Sequence, residues 1–255
     1  MIFDSHAHYD DKAFDEDREP LLNSMNENGI SYIVNVASSI ENTKKTIELT
    51  KQYPFIYGSA GVHPEEAAEL NEENFAWLCE QCNQPKIVAV GEIGLDYYWP
   101  EPSKEIQKIW FQRQLLLASE KKLPVIIHSR DAAKDTYDIL ASVENKGLEG
   151  VIHCYSYSKE MAKDFLKLGF YIGIGGVITF NNAIKLKEAV EYIPLECILL
   201  ETDCPYLAPV PNRGKRNSSL NLIYIAKQIA QIKKIEYDQV IFQTTQNAKK
   251  MYRIT

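Results

Sequence analysis

The sequence predicts an α/β protein of the (β/α)8 TIM-barrel class, and three observations lead there. Short apolar, β-branched runs alternate with helix-like stretches along the whole chain. There are eight such runs, and their near-continuous apolar character is that of strands buried on both faces, as in a parallel sheet. The length, 255 residues, is typical of one such barrel. An open doubly wound sheet is the alternative. No Pro/Gly/Ser-rich linker, low-complexity segment or change of composition interrupts the pattern, so residues 1–255 read as one domain.

In chain order, the first strand is Met1–His6, an apolar start that runs into His6-Ala7-His8. A helix over Asp17–Glu27 stops before Gly29. Strand Ser31–Ala37 follows, and Ser38-Ser39 opens the helix Glu41–Lys51, which stops before Pro54. Strand Phe55–Gly61 leads to the helix Glu72–Gln81 behind Asn71, a good N-cap. After strand Lys86–Glu92, Ser103 caps a long helix over Lys104–Lys121 that ends before Pro124. Strand Val125–His128 precedes the helix Asp131–Glu144, which ends near Gly147. Strand Gly150–His153 precedes Ser158–Leu168, which ends at Gly169. Strand Phe170–Gly173 precedes Asn182–Glu191, which ends before Pro194. The eighth strand is Cys197–Glu201, and helices Leu220–Lys233 and Tyr237–Met251 close the chain. Between them Cys204–Ser219 is the longest irregular stretch, with Pro205, Pro209, Pro211 and Gly214 and a basic cluster of Arg213, Lys215 and Arg216.

Composition narrows the function classes. Hydrophobic residues at 45% and charged residues at 25% are those of a globular protein able to bury a sizeable core. A net charge of −7 argues against a broad basic face wrapped around duplex nucleic acid. It leaves room for a nuclease whose bound metal ions supply local positive charge. The five cysteines, an odd number, form no disulfide framework and read as reduced thiols. Cys79 and Cys82 make a C-x-x-C inside a helix-like stretch with no second pair, which reads as two helix thiols rather than a zinc or redox site. The N-terminus carries no secretory signal, and no run approaches the ~18–20 apolar residues of a membrane span. The expectation is a cytoplasmic protein with no membrane attachment and no stable protein partner.

The polar residues then fall into a pattern. On a strand, His6 and His8 project to the same side. Glu92 ends the fourth expected strand, His128 the fifth and His153 the sixth; Asp203 follows the eighth and His63 the third. All five histidines therefore lie at or just past the C-terminal ends of strands, which in a parallel barrel share one rim. A lone histidine there is more often a satisfied core residue. Five, joined by a Glu and an Asp at equivalent positions, point to a metal centre, because buried carboxylates need partners. Imidazoles mixed with carboxylates suit Zn²⁺, Mn²⁺, Fe²⁺ or Co²⁺, with Mg²⁺ possible where water and phosphate complete its shell. Four imidazoles and two carboxylates, with His63 not needed among them, make six ligands, too many for one tetrahedral ion, so two divalent ions are expected, with Glu92 the best candidate to bridge them. Asp203 is expected both to hold metal and to take the proton of the attacking water.

Seven blocks then carry a resemblance. They are Phe3-Asp4-Ser5-His6-Ala7-His8, Gly61-Val62-His63-Pro64, Gly91-Glu92-Ile93-Gly94-Leu95-Asp96-Tyr97-Tyr98, His128-Ser129-Arg130-Asp131-Ala132, His153-Cys154-Tyr155-Ser156, Leu200-Glu201-Thr202-Asp203-Cys204-Pro205-Tyr206-Leu207 and Arg213-Gly214-Lys215-Arg216-Asn217. In order and spacing the chain resembles the TatD family of metal-dependent hydrolases, within the amidohydrolase superfamily. The resemblance covers almost the whole chain. It implies a (β/α)8 barrel with His6, His8, Glu92, His128, His153 and Asp203 as metal ligands. It also implies a deoxyribonuclease, described as a Mg²⁺-dependent 3′→5′ exonuclease on single-stranded DNA; other relatives are described as deacylases of D-aminoacyl-tRNA. One departure stands out: after Arg216-Asn217 the family continues with Glu-Pro, and here Ser218-Ser219 follow, either of which can cap the next helix.

Further residues carry weaker expectations. His63 is expected to hydrogen-bond a substrate phosphate or the water of the site. Arg130 either reaches a phosphate oxygen or pairs with a nearby carboxylate. Arg213, Lys215 and Arg216 either contact a nucleic-acid backbone or form a solvated face. Tyr97, Tyr98 and Trp99 can stack on unpaired bases, but at least two of the three are expected to pack over the barrel. Glu201 is placed to orient a histidine ligand from behind. The leading reading is a dinuclear metal-dependent phosphodiesterase. The rivals are an ester or amide hydrolase, such as an aminoacyl-tRNA deacylase, and a non-catalytic barrel that keeps metal for stability.

Overall fold

The computed structural model describes residues 1–142 and 147–255. Eight parallel strands pair in chain order into one sheet: β1 (Ile2–Ala7), β2 (Ile30–Asn35), β3 (Ile56–Ala60), β4 (Ile87–Asp96), β5 (Val125–Arg130), β6 (Gly150–Ile152), β7 (Tyr171–Ile174) and β8 (Ile198–Leu200). The helices are α1 (Arg18–Asn23), α2 (Ile40–Gln52), α3 (Glu72–Gln81), α4 (Lys104–Lys121), α5 (Ala133–Ser142), α6 (Lys159–Lys167), α7 (Ile184–Tyr192), α8 (Leu222–Lys233) and α9 (Tyr237–Tyr252). The expected (β/α)8 barrel is thus present. The part of the expected helix Asp131–Glu144 beyond Ser142 lies outside the described residues.

The seam between β8 and β1 is closed by the residues just beyond β8. Asp203 N donates to His6 O at 2.9 Å, and His8 N donates to Cys204 O at 2.8 Å. Ser5 Oγ adds a bond to Leu200 O at 2.9 Å.

Two apolar layers form. The larger lies between strands and helices and includes Ile33, Ile56, Ile93, Ile127, Ile152, Ile172, Phe111, Phe165 and Ile225. The smaller takes Phe3, Val34, Ala89, Ile126, Val151 and Leu199 from the strands and joins them to Met251, Tyr252 and Ile254. Because side chains alternate, positions two residues further along β5, β6 and β8 share the inner face. Ile126 thereby leads to His128, Val151 to His153 and Leu199 to Glu201. The same periodicity that fills the barrel delivers these polar side chains to its mouth.

The expected caps at Ser39, Asn71 and Ser103 form, with Asn71 and Asn74 in a reciprocal capping box, and Ser158, read as the first helical residue, caps α6 instead. Two local expectations are corrected. α1 spans only Arg18–Asn23 rather than Asp17–Glu27. Beyond it Ser24 Oγ bonds back to Leu21 O and Asn28 Nδ2 to Ser24 O, so side chains compete with the helix for carbonyls. β4 runs on past Glu92 to Asp96, with a shift of register between Val90 and Ile93, so Glu92 sits inside the strand at an irregularity.

Candidate active site

A cavity of about 630 Å³ opens at the C-terminal rim, and His8, His63, Glu92, Asp96, His128, Arg130, His153, Cys154 and Asp203 are among the residues lining it. His6 lies buried just beneath, its ring stacked on that of His153 with centroids 3.5 Å apart. All five histidines, Glu92 and Asp203 therefore meet at one place.

Two close groups share Glu92. Around Oε2 are His6 Nε2 at 3.3 Å and His8 Nε2 at 3.9 Å. Asp203 Oδ1 stands 3.7 Å from His6 Nε2 and 3.2 Å from His8 Nε2, and the two imidazole nitrogens are 3.1 Å apart. Around Oε1 are His128 Nδ1 at 2.8 Å, His153 Nε2 at 3.6 Å and His63 Nε2 at 3.7 Å.

These spacings test whether a metal fits. Two ligand atoms each about 2.1 Å from one tetrahedral ion stand about 3.4 Å apart. The five separations measured among His6 Nε2, His8 Nε2, Asp203 Oδ1 and Glu92 Oε2 range from 3.1 to 3.9 Å. Two of the five, at 3.7 and 3.9 Å, are too long for hydrogen bonds, and all four atoms converge on one point. The donor set and its spacing fit a divalent cation, and the residues form a metal-binding His/Glu/Asp cluster.

The supporting contacts fix which nitrogen faces inward. His8 Nδ1 donates to Val36 O at 2.8 Å, which leaves Nε2 as the ligand atom. His153 Nδ1 lies 3.1 Å from Glu201 Oε1, and the same oxygen accepts the Cys154 N–H at 2.6 Å. Glu201 thus stands where the sequence places it, behind His153. Gly173 makes room: a Cβ there would lie 2.3 Å from Glu201 Oε2. His63 Nδ1 accepts the Glu65 N–H at 3.2 Å, so a neutral His63 carries its proton on the inward-facing Nε2.

One partner escapes the sequence reading. Asp96, fully buried, accepts from His128 Nε2 at 2.9 Å and from Tyr98 N at 2.9 Å. Its signal was the spacing Glu92, Gly94, Asp96, which puts both carboxylates on one face of β4 once the strand is extended. Gly94 is required there. Its φ is +147°, and a Cβ would fall 1.9 Å from His128 O.

Burial and neighbours set the charges. For His63, burial and then the nearby His128 push the pKa down to about 3, so the ring is neutral. Burial and His153 likewise lower His6. Burial also works against charge on His8, but Asp203 and Glu92 overcome it and raise the value to about 10. The same contest puts His128 at about 9, through Asp96 and Glu92, and His153 at about 9, through Glu201 and Glu92. Against their own burial, the surrounding imidazoles hold Glu92 well below the usual carboxylate range and lower Asp203 as well.

The remaining predicted residues are distributed more widely. Arg130 lines the cavity and lies over the Tyr98 ring, 3.8 Å from its centroid. Arg213 stacks on Phe180 at 4.2 Å, and neither it nor Arg216 lines the cavity. The Arg216 fork grips Asp17 and also donates to Ala13 O. Tyr97 packs against the core and donates to Asp135. Tyr98 and Trp99 are 54% and 50% exposed, so only one of the three rings packs as expected. Neither serine of Ser218-Ser219 caps a helix through its side chain. Ser219 instead turns inward and donates to Asp4 Oδ2 at 2.6 Å. Asp4 also accepts from Thr202 Oγ1, Thr202 N and His6 N, and so ties β1 to the Asp203 turn. Cys79 and Cys82 are free thiols.

A parallel barrel whose rim gathers imidazoles and carboxylates at metal-ligand spacing defines a metal-dependent hydrolase. Residues 3–253 match the sequence model of a family described as TatD related DNase. An uncharacterised metal-dependent hydrolase of Bacillus subtilis, YabD, is 41% identical over the full length of both chains. Another from Escherichia coli, YcfH, is 33% identical, covering 100% of this chain and 96% of its own. The crystal structure of the E. coli TatD homologue YJJV superposes with a TM-score of 0.93 at 29% identity, covering 100% of this chain and 98% of that one. The chain belongs to the TatD family.

Proposed function

We propose that the protein is a phosphodiesterase that removes nucleotides from the 3′ end of single-stranded DNA, with two divalent ions, Mg²⁺, Mn²⁺ or Zn²⁺, as its cofactors. The observation that carries this reading is the division of ligand atoms about Glu92. Oε2 faces the His6, His8 and Asp203 group and Oε1 faces His128, His153 and His63, as a carboxylate bridging two ions would require. In this reading the ligands are His6, His8, Glu92, His128, His153 and Asp203. When bound, the ions polarise the phosphodiester and acidify a water.

The chain's own residues do the rest. Asp203, held as a carboxylate by its imidazole neighbours, accepts the proton of the attacking water. His63, neutral and with its proton on Nε2, donates a hydrogen bond to a phosphoryl oxygen. Arg130 steadies a non-bridging oxygen from the cavity wall. Val36 O, Glu201 and Asp96 hold the imidazoles in register.

A second reading keeps the site and changes the bond to an ester or amide, as in an aminoacyl-tRNA. It is favoured by the other carboxylates of the cavity wall, Asp10, Asp11 and Glu65, which would receive an amino group better than a phosphate chain. The test is a 5′-labelled single-stranded DNA incubated with protein stripped of metal and re-loaded with each ion in turn, beside Asp203→Asn. A ladder shortening from the 3′ end, at least about 10²-fold slower in the variant, is the expected result. An intact oligonucleotide under every ion, with amino acid released from aminoacyl-tRNA, would move the assignment to the second reading.

A further inference from the structure

We propose that Tyr98 and Trp99, with the Arg130 guanidinium laid over Tyr98, form a stacking platform for an unpaired base of the polynucleotide whose phosphate enters the metal-binding cavity. The inference rests on the phosphodiesterase reading and deepens it by naming what grips the strand beside the cleaved bond.

Two half-exposed aromatic rings stand directly after the strand that carries Glu92 and Asp96. They pack edge to face, with centroids 4.8 Å apart and planes at 89°. Their base is rigid. Tyr98 N donates to the buried Asp96, Tyr97 N donates to Arg130 O, and the Tyr97 hydroxyl is anchored on Asp135. Exposed rings on a fixed mount are a binding surface that loses little freedom when it is used.

Arg130 links this surface to the cavity. It is the one Lys or Arg among the residues lining the cavity, and it forms no ion pair with a carboxylate among the described residues. Its guanidinium, stacked on Tyr98 at 3.8 Å, leaves its N–H groups available to a phosphate. A planar, uncharged ring beside a phosphate is what a nucleotide presents, and stacking on aromatic or guanidinium planes is the sequence-tolerant way proteins hold unpaired bases. In a duplex both faces of a base are already covered, so the platform selects for single strands.

The test compares a 5′-labelled single-stranded oligonucleotide with the same strand carrying abasic residues at its 3′ end, using metal-loaded protein. The parent is expected to show a KM about ten-fold higher for the abasic strand, the scale of one stacked base. In Trp99→Ala and Tyr98→Ala that ratio falls towards one because KM for the base-bearing strand rises. Trp99→Phe, which keeps a ring, restores most of the difference. A ratio unchanged in both alanine variants, an equal rise in KM for both strands, or no discrimination by the parent would overturn the platform while leaving the phosphodiesterase intact. No cleavage of any single-stranded DNA or RNA, with no change in tryptophan fluorescence on adding it, overturns both.

Discussion

Changing Glu201 to Gln removes one charge from behind the site and leaves its shape. Glu201 is 1% exposed, and its Oε1 serves both His153 Nδ1, at 3.1 Å, and the Cys154 N–H, at 2.6 Å. The missing Cβ of Gly173 gives the carboxylate its room but none to swing away. In the parent this anion keeps the proton of His153 on Nδ1 and the lone pair of Nε2 facing Glu92 and Asp203. A glutamine can still accept the Cys154 N–H, but the negative charge that faces the imidazole is gone. Loss of such a carboxylate partner typically weakens metal binding about 10–100-fold, or about 1.4–2.7 kcal/mol. Competition with a chelator measures it directly. Thermal melts of the metal-free forms provide the control, and their sign is set by His153. Its folded pKa of about 9 exceeds the unfolded 6.5, so its protonation stabilises the fold below pH 6.5, and that contribution is lost as pH rises through about 9. The metal-free variant is therefore less stable than the parent at pH 6, and the gap closes towards pH 9. Metal affinity within two-fold of the parent would refute the orienting role of Glu201.

Other consequences follow from the same geometry. Ser219→Ala removes a charge-assisted donor from buried Asp4 and is expected to cost about 1.5–3 kcal/mol in urea unfolding. Burial pushes the Asp4 pKa up to about 7, so the deficit grows as pH rises through 7 and the carboxylate loses one of its donors; a deficit independent of pH would count against this account. Gly94→Ala drives a methyl group into His128 O and should destabilise by about 3 kcal/mol or more, read as a lower Tm or as insoluble protein. Because His8, His128 and His153 hold protons at neutral pH in the metal-free protein, metal affinity should rise with pH between 6 and 9, by up to about ten-fold per unit for each proton displaced. Affinity that stays flat across that range would mean those imidazoles are already neutral.

The barrel was legible because its strands are bare apolar runs, and the site because each run ends in a residue with no business in a core. Val125-Ile126-Ile127-His128 and Val151-Ile152-His153 announce both facts together. What stayed hidden depends on contacts between distant segments. The extension of β4 to Asp96 was masked by two glycines and an alternation that reads equally well as a turn. Its reason is the pairing of Gly94 with His128 and of Asp96 with Arg130 on β5. Ser219 looked like a helix cap, the common fate of a serine before a helix, until Asp4, more than two hundred residues earlier, competed for its hydroxyl. Tyr98 and Trp99 looked like lid packing, and no local pattern shows that both rings stay half-exposed.

The seam where Asp203 N meets His6 O has a bearing on how the protein comes into being. The first and last members of the cluster lie at opposite ends of the order of synthesis yet stand side by side. A nascent chain that has emerged as far as His153 holds all five imidazoles but lacks Asp203 and the wall that positions His6 and His8. Any ion it captures early is held by a partial shell, and the finished shell forms only when the last strand arrives. Until that moment a ribosome-bound intermediate carries no complete hydrolytic centre.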